Sequence, residues 1–343
     1  MSNEPHPSVS QSSRAYGCML GGALGDALSA PGPALRIGGT TQLALYSLDG
    51  LLDALEWANA GTGADVNACI WLAYLRWYRA QEGSLPPSAP APQPRWIDGQ
   101  EILQQRVAPD AVSLSGLATG EMGTAFRPVN PEAKGSAPVS RSAAFGLVPH
   151  LEAVTVAKIS SDAASLTHGH PAARQAAGLF STLIHHLGAG NSLEEAAAKT
   201  VAAARETEET APELIGRLDA AVRLAPEQLL SPENLAGELG DGHAAEEALA
   251  VGLYAVLATA PAHDADRGAG GDESGLSPQE HFRAAMQVAT GCGQAAPAVA
   301  SIAGSILGAR YGEESLPGDW LDRLEERNPI RALVDQLLKV TLA

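Results

Sequence analysis

A single all-α domain is the fold this sequence predicts, and three observations predict it. Apolar residues recur at three- and four-residue steps through successive segments, which is the spacing of one helix face. Runs that alternate polar and apolar residues, the mark of half-buried strands, are almost absent. Aromatic residues make up only 4% of the 343 positions while glycine supplies 36 of them, a composition suited to helices that meet through small side chains. With 45% hydrophobic and 18% charged residues the chain has the makings of a large core and not of a disordered polymer.

The elements follow in order. Residues 1–13 are polar and read as a disordered tail, and residues 14–343 as one compact multi-helix domain. Helical periodicity begins near Arg14, where Gly17, Gly21, Gly22 and Gly25 would let a helix lie close against a neighbour. A helix over 40–60 carries Leu43, Leu48, Leu52 and Leu55 on one face, and another over 65–82 carries Ile70, Leu72, Leu75 and Trp77. The proline-rich stretch 83–96 reads as an exposed, mobile loop. Residues 110–146 are irregular and glycine-rich, and a loop of that length inside a helical domain is often functional. Helices are then expected over 150–165, 171–187, 192–206, 211–224 and 243–258, with Ser192 and Glu195 in capping-box spacing. An acidic, flexible loop over 261–277 leads to closing helices over 278–290, 296–310, 318–326 and 329–340.

The net charge of −17 argues against binding nucleic acid or an anionic membrane through bulk electrostatics. No stretch approaches the roughly 20 apolar residues of a membrane span. The N-terminus has neither the basic start nor the apolar run of a signal peptide, so a cytoplasmic location is expected. Cys18, Cys69 and Cys292 lack metal-ligand spacing and read as free thiols in a reducing compartment.

Residues 14–28, RAYGCMLGGALGDAL, resemble the opening helix of the ADP-ribosylglycohydrolase family, which includes the dinitrogenase-reductase-activating glycohydrolases. Lys134–Arg141 resembles that family's K-G-x-G-x-x-M-R loop, and Leu166-Thr167-His168-Gly169-His170-Pro171 its T-H-x-[HSD]-P junction. Weaker matches at Ala108-Pro109-Asp110, Glu246–Leu249, Ser301–Gly312 and Leu316-Pro317 extend the resemblance over residues 14–340 in the right order. It implies an all-α hydrolase fold acting on ADP-ribosyl groups, with two divalent cations held by a T-D-D-T stretch near the N-terminus and a G-D-x-D-[ST] stretch near the C-terminus.

Both stretches are present here without their carboxylates. The windows 27–48 and 287–312 contain no Asp or Glu. Gly38 falls at the first Thr, Gly39 and Thr40 at the two Asp, and Thr41 at the final Thr; at the other end Ala295 and Pro297 fall at the aspartates, or Gln294 with a two-residue shift. Hard divalent cations need several oxygen ligands, mostly carboxylates. No Mg²⁺ or Mn²⁺ pair is therefore expected between Gly39, Thr40 and Thr41 on one side and Ala295 and Pro297 on the other, and no cofactor is implied. The family's catalytic Glu after the first helix is also absent, which leaves Asp26 alone. A pair of carboxylates for glycoside cleavage is missing.

The ligand-binding segments are better kept. The resemblance implies that Lys134, Gly135, Ser136 and Arg141 wrap an ADP-ribosyl group and that His168 lies beside the nucleotide. Backbone N–H groups of such a loop can cradle a pyrophosphate and Lys134 can neutralise it, although Pro138 removes one donor. Three readings stay open. One is a metal-free pseudoenzyme that binds ADP-ribose, a related nucleotide or an ADP-ribosylated protein. A second is a hydrolase with a rebuilt site using Asp26 and His168. The third is a scaffold whose cleft has closed.

Overall fold

The computed structural model describes residues 9–30, 32–207, 209–227, 229–261 and 276–341. Among these it places fifteen α-helices and no strand. They are α1 (Gln11–Leu28), α2 (Gly39–Asn59), α3 (Val66–Glu82), α4 (Ala111–Ala118), α5 (Ala137–Ser140), α6 (Ala153–Ala164), α7 (Pro171–Gly188), α8 (Leu193–Glu206), α9 (Pro212–Leu224), α10 (Pro232–Leu239), α11 (Ala245–Ala258), α12 (Pro278–Ala289), α13 (Ala296–Tyr311), α14 (Gly318–Leu321) and α15 (Arg327–Thr341). The predicted all-α class is what the chain adopts.

The centre is an antiparallel seam between α1 and α13. Gly17 faces Gly308, Gly21 faces Gly304 and Gly25 faces Ala300. A Cβ on Gly21 would stand 2.3 Å from the Gly304 carbonyl oxygen, and one on Gly25 2.0 Å from that of Ala300. The two backbones touch, so only glycine fits at these points. Around this pair α11 packs on α9 and α13, α7 on α6 and α8, and α2 on α3 and α15. Large side chains such as Trp77, Tyr46, Tyr74 and Tyr254 are fully buried in the surrounding layers.

Local chemistry sets the helix ends. Ser10 caps α1 at the Ser13 N–H, so the first helix starts three residues before Arg14. Residues 11–13 are thus helical, and residues 1–8 of the expected tail lie outside the described residues. Asp65 caps α3, which stops at Gly83 with φ +84°. The Ser192/Glu195 capping box forms as read, and Ser277/Glu280 forms another at α12. Most of the expected loop 261–277 lies outside the described residues.

Several expectations are corrected. The stretch 110–146 contains the two short helices α4 and α5, and α10 was not anticipated. The helix expected over 318–326 ends at Leu321, because Leu35 N–H donates to Arg323 O and Glu325 N–H to Leu35 O, which draws the backbone into a bridge. In the proline-rich stretch Pro87, Pro90 and Pro94 are exposed while Pro86 and Pro92 are buried. Among the described residues no helix is long and apolar enough to cross a membrane.

Candidate functional site

The two acid-free windows meet. Gly38, Gly39 and Thr40 at the start of α2 and Gln294, Ala295 and Pro297 at the start of α13 line one cleft of about 290 Å³. The glycine seam brings this about: it runs α1 and α13 antiparallel, so the C-terminal end of α1, carrying Asp26, lies beside the N-terminal end of α13. Asp110, Gly135, Ser136, Ser140 and His243 also line it.

Asp26 is buried and works as a cap supplied from another helix. One of its oxygens accepts from Gly38 N (2.8 Å), Thr41 N (3.0 Å) and Thr41 Oγ1 (2.6 Å). Burial raises its carboxyl above the ordinary range, with the Thr41 and Gly38 hydrogen bonds pulling the other way. The N–H groups of Gly39 and Thr40 are left without such a capping acceptor at the cleft wall.

The donor set does not fit two divalent cations. The positions at which the sequence reading expects metal-binding aspartates carry Gly39 and Thr40 at one end and Ala295 and Pro297, or Gln294 with a two-residue shift, at the other, and the Thr41 hydroxyl already donates to Asp26. The carboxylates lining the cleft are Asp26, with one oxygen taken by three donors, and Asp110, which caps α4 at the Ser113 N–H (2.6 Å). Among the described residues no three His, Cys, Asp or Glu side chains are grouped so as to hold a metal ion.

The five residues expected to bind a ligand are only partly brought together. Gly135 and Ser136 line the cleft. Lys134 does not; its ammonium is clamped by Glu246 (2.6 Å) and Glu213 (3.3 Å) from α11 and α9. Arg141 is sealed in the core, its guanidinium 4.7 Å from the Tyr74 ring centroid and donating to Thr167 Oγ1 (2.8 Å), Ala163 O (3.3 Å) and Ser113 Oγ (3.4 Å). His168 sits immediately behind Gly135 and is fully buried. Thr167 and His168 therefore form one chain with Arg141: Thr167 Oγ1 accepts from Arg141 and lies 2.9 Å from His168 Nδ1.

Burial first, then the Arg141 charge, pushes the His168 imidazole down to about 4, against the opposing pull of Asp110. The sign follows from linkage. A histidine whose folded value lies below the unfolded 6.5 binds its proton only after unfolding, so its contribution is complete above that pH and is lost as pH falls towards 4. The loss attributable to His168 is on the order of 3 kcal/mol by pH 4. Chemical unfolding of His168→Gln between pH 7 and 4.5 is expected to show a shallower slope than the parent; identical slopes would contradict this.

Sequence reasoning missed Asp110 and His243 as cleft residues. Asp110 was visible as the start of a helix match, but its role at the cleft was not. His243 reaches the cleft because Ala245 N–H donates to Lys134 O (2.9 Å) and Gly135 bridges to Ala244, a long-range pairing with no local signal.

In a comparison with known families, the profile described as ADP-ribosylglycohydrolase matches residues 7–343. The chain belongs to the ADP-ribosylglycohydrolase family. A solved structure titled "ADP-ribosylglycohydrolase-related protein complex" aligns with a TM-score of 0.62 at 22% identity, over 96% of this chain and 99% of the other. At that identity the likeness establishes the fold alone. Comparison with curated proteins found no match.

Proposed function

We propose that this chain is a metal-free ADP-ribosylglycohydrolase relative that recognises an ADP-ribosyl or nucleotide group instead of cleaving it by two-metal chemistry. One observation carries the reading: the positions aligned with the metal-binding aspartates face each other across a single cleft, and none of them bears an acid. Two-metal catalysis depends on cations that organise the sugar and the attacking water, and the donors for such cations are gone.

Two features support a ligand over the other readings. The cleft keeps a volume of about 290 Å³, which argues against a filled-in scaffold. Asp26, the residue on which a rebuilt hydrolytic site would depend, is buried with one oxygen taken by three donors, a poor arrangement for a general base.

The test is thermal unfolding with ADP-ribose, run in excess Mg²⁺ and again in EDTA. A ligand that binds only the folded state stabilises it by about 2.7 kcal/mol at a hundredfold excess over Kd. The expected result is the same rise in both buffers. A rise abolished by EDTA would overturn the metal-free reading, and no rise in either buffer would remove the ligand.

A further inference from the structure

We propose that a second cavity, between α10, α12 and the C-terminal end of α11, is a binding site for a small apolar amine, its hydrocarbon body seated among leucines and its ammonium turned to Asp241. The site is independent of the ADP-ribosyl reading, since this cavity and the cleft share no lining residue.

The cavity measures about 340 Å³, inside the range of roughly 300–1,000 Å³ in which proteins hold small molecules. Leu230 and Leu235 form one side of its apolar wall, and Val288 and Cys292 the other. Leu229, also in the lining, is 57% exposed. Water finds few hydrogen bonds against such a wall, whereas a hydrocarbon that displaces it covers apolar surface. The segment that joins α11 to α12 does not supply that hydrocarbon: residues 262–275 contain no apolar side chain larger than alanine.

One carboxylate fixes the sign of the ligand. Asp241 lines the cavity, and among the described residues no Lys, Arg or His does. Its Oδ1 accepts from the His243 N–H at 3.0 Å, which holds the carboxyl below its ordinary range and so ionised at neutral pH. Glu247 stands behind it, outside the lining, with its carboxyl raised first by burial and then by its hydrogen bond to Asp241. The Arg217 guanidinium lies 3.7 Å from this second carboxyl. A carboxylate accepts about four hydrogen bonds, so Asp241, exposed at the cavity, has room for an ammonium. An anion there would meet like charge, and the net charge of −17 acts in the same sense.

The experiment uses Cys292 as a reporter on the full chain. This thiol lines the cavity and is half-buried, whereas Cys18 and Cys69 are buried. Burial pushes it up to about 11, so its modification is slow enough to follow. The reagent is methyl methanethiosulfonate, which leaves amines untouched, and the modified site is read by peptide mass. Naphthylethylamine, naphthylethanol and naphthylacetate present one ring system with a cation, a neutral group and an anion. The amine is expected to protect Cys292 at a concentration about threefold below that of the alcohol and about tenfold or more below that of the acetate, with calorimetric titration giving the same order. No protection by any of the three, or heat of binding without protection, would overturn the site. An alcohol or acetate as effective as the amine would overturn the ligand class. Asp241→Asn combined with Glu247→Gln removes both acids; the amine is then expected to fall to the level of the alcohol, with the alcohol unchanged. A preference for the amine that survives this change, or an equal loss for both compounds, would overturn the role given to Asp241.

Discussion

Gly308→Ala is expected to lower stability by about 3 kcal/mol or to prevent folding altogether. The added Cβ would stand 1.8 Å from the Gly17 carbonyl oxygen and 2.2 Å from its carbon. Both are backbone atoms in the middle of a helix, so no rotamer change relieves the overlap and the whole of α1 would have to move. That helix carries Asp26 to the cleft and contributes Leu20 and Leu24 to the core, so a shift is felt at both. The control is Gly188→Ala at the end of α7, where nothing lies within 4 Å of the new Cβ and φ is not positive. It should be neutral or stabilising by up to about 1 kcal/mol. Urea midpoints for the two variants decide the matter, and a Gly308→Ala loss under about 1 kcal/mol would show that the seam yields more readily than its geometry implies.

Asp49→Ala is expected to cost about 3–5 kcal/mol, because it leaves a buried guanidinium short of its counter-charge. Asp49 and Arg76 are both buried and directly paired, with Arg76 also 3.0 Å from Asp98. Arg95 joins the same network through Asp49 (3.1 Å), Asp53 (3.0 Å) and Glu56 (3.1 Å). Replacing both members together, as Asp49→Leu with Arg76→Met, should lose much less than the single change, since well-packed apolar groups need no compensation. A double-mutant cycle by chemical unfolding reads the difference; a double variant as unstable as Asp49→Ala would refute it. The network also bears on the cleft. It pins residues 95–98 to α2 and α3, and a little further on Gln42 donates to Gln105 O (2.9 Å) and Val107 N–H to Gln81 Oε1 (3.2 Å). Through these contacts the segment reaching Ala108 and Asp110 is held against the site.

What was legible in the sequence was whatever depends on near neighbours or on backbone shape. The spacing of Gly17, Gly21 and Gly25 announced a close helix contact, and the seam with α13 is that contact. Pro171 at the first turn of α7 and His170 as its cap, accepting from Ala172 N (3.2 Å), were also readable from adjacent residues. The two acid-free windows pointed to one place, and they meet there. What was not legible depends on distant partners. Lys134 has its expected charge but spends it on Glu213 and Glu246, far along the chain. Arg141 matches the family loop and yet turns inward, because Tyr74 and Thr167 offer it a ring face and an acceptor that no local pattern reveals. The short α10, with only Leu235 and Leu239 buried, carries too little periodicity to stand out.

The surroundings of Gly39 resist an acidic side chain. A side chain there would begin 3.0 Å from the Cα of Pro109, so an aspartate could return only if the neighbouring backbone withdrew. Each carboxylate restored singly at 39, 40, 295 or 297 would also join Asp26 and Asp110 in the same small space before any cation could offset the repulsion. A single acid placed at any of these positions is thus opposed, by overlap or by charge. The small residues of the cleft and its two carboxylates exclude a third acid together: the site is self-consistent as it stands.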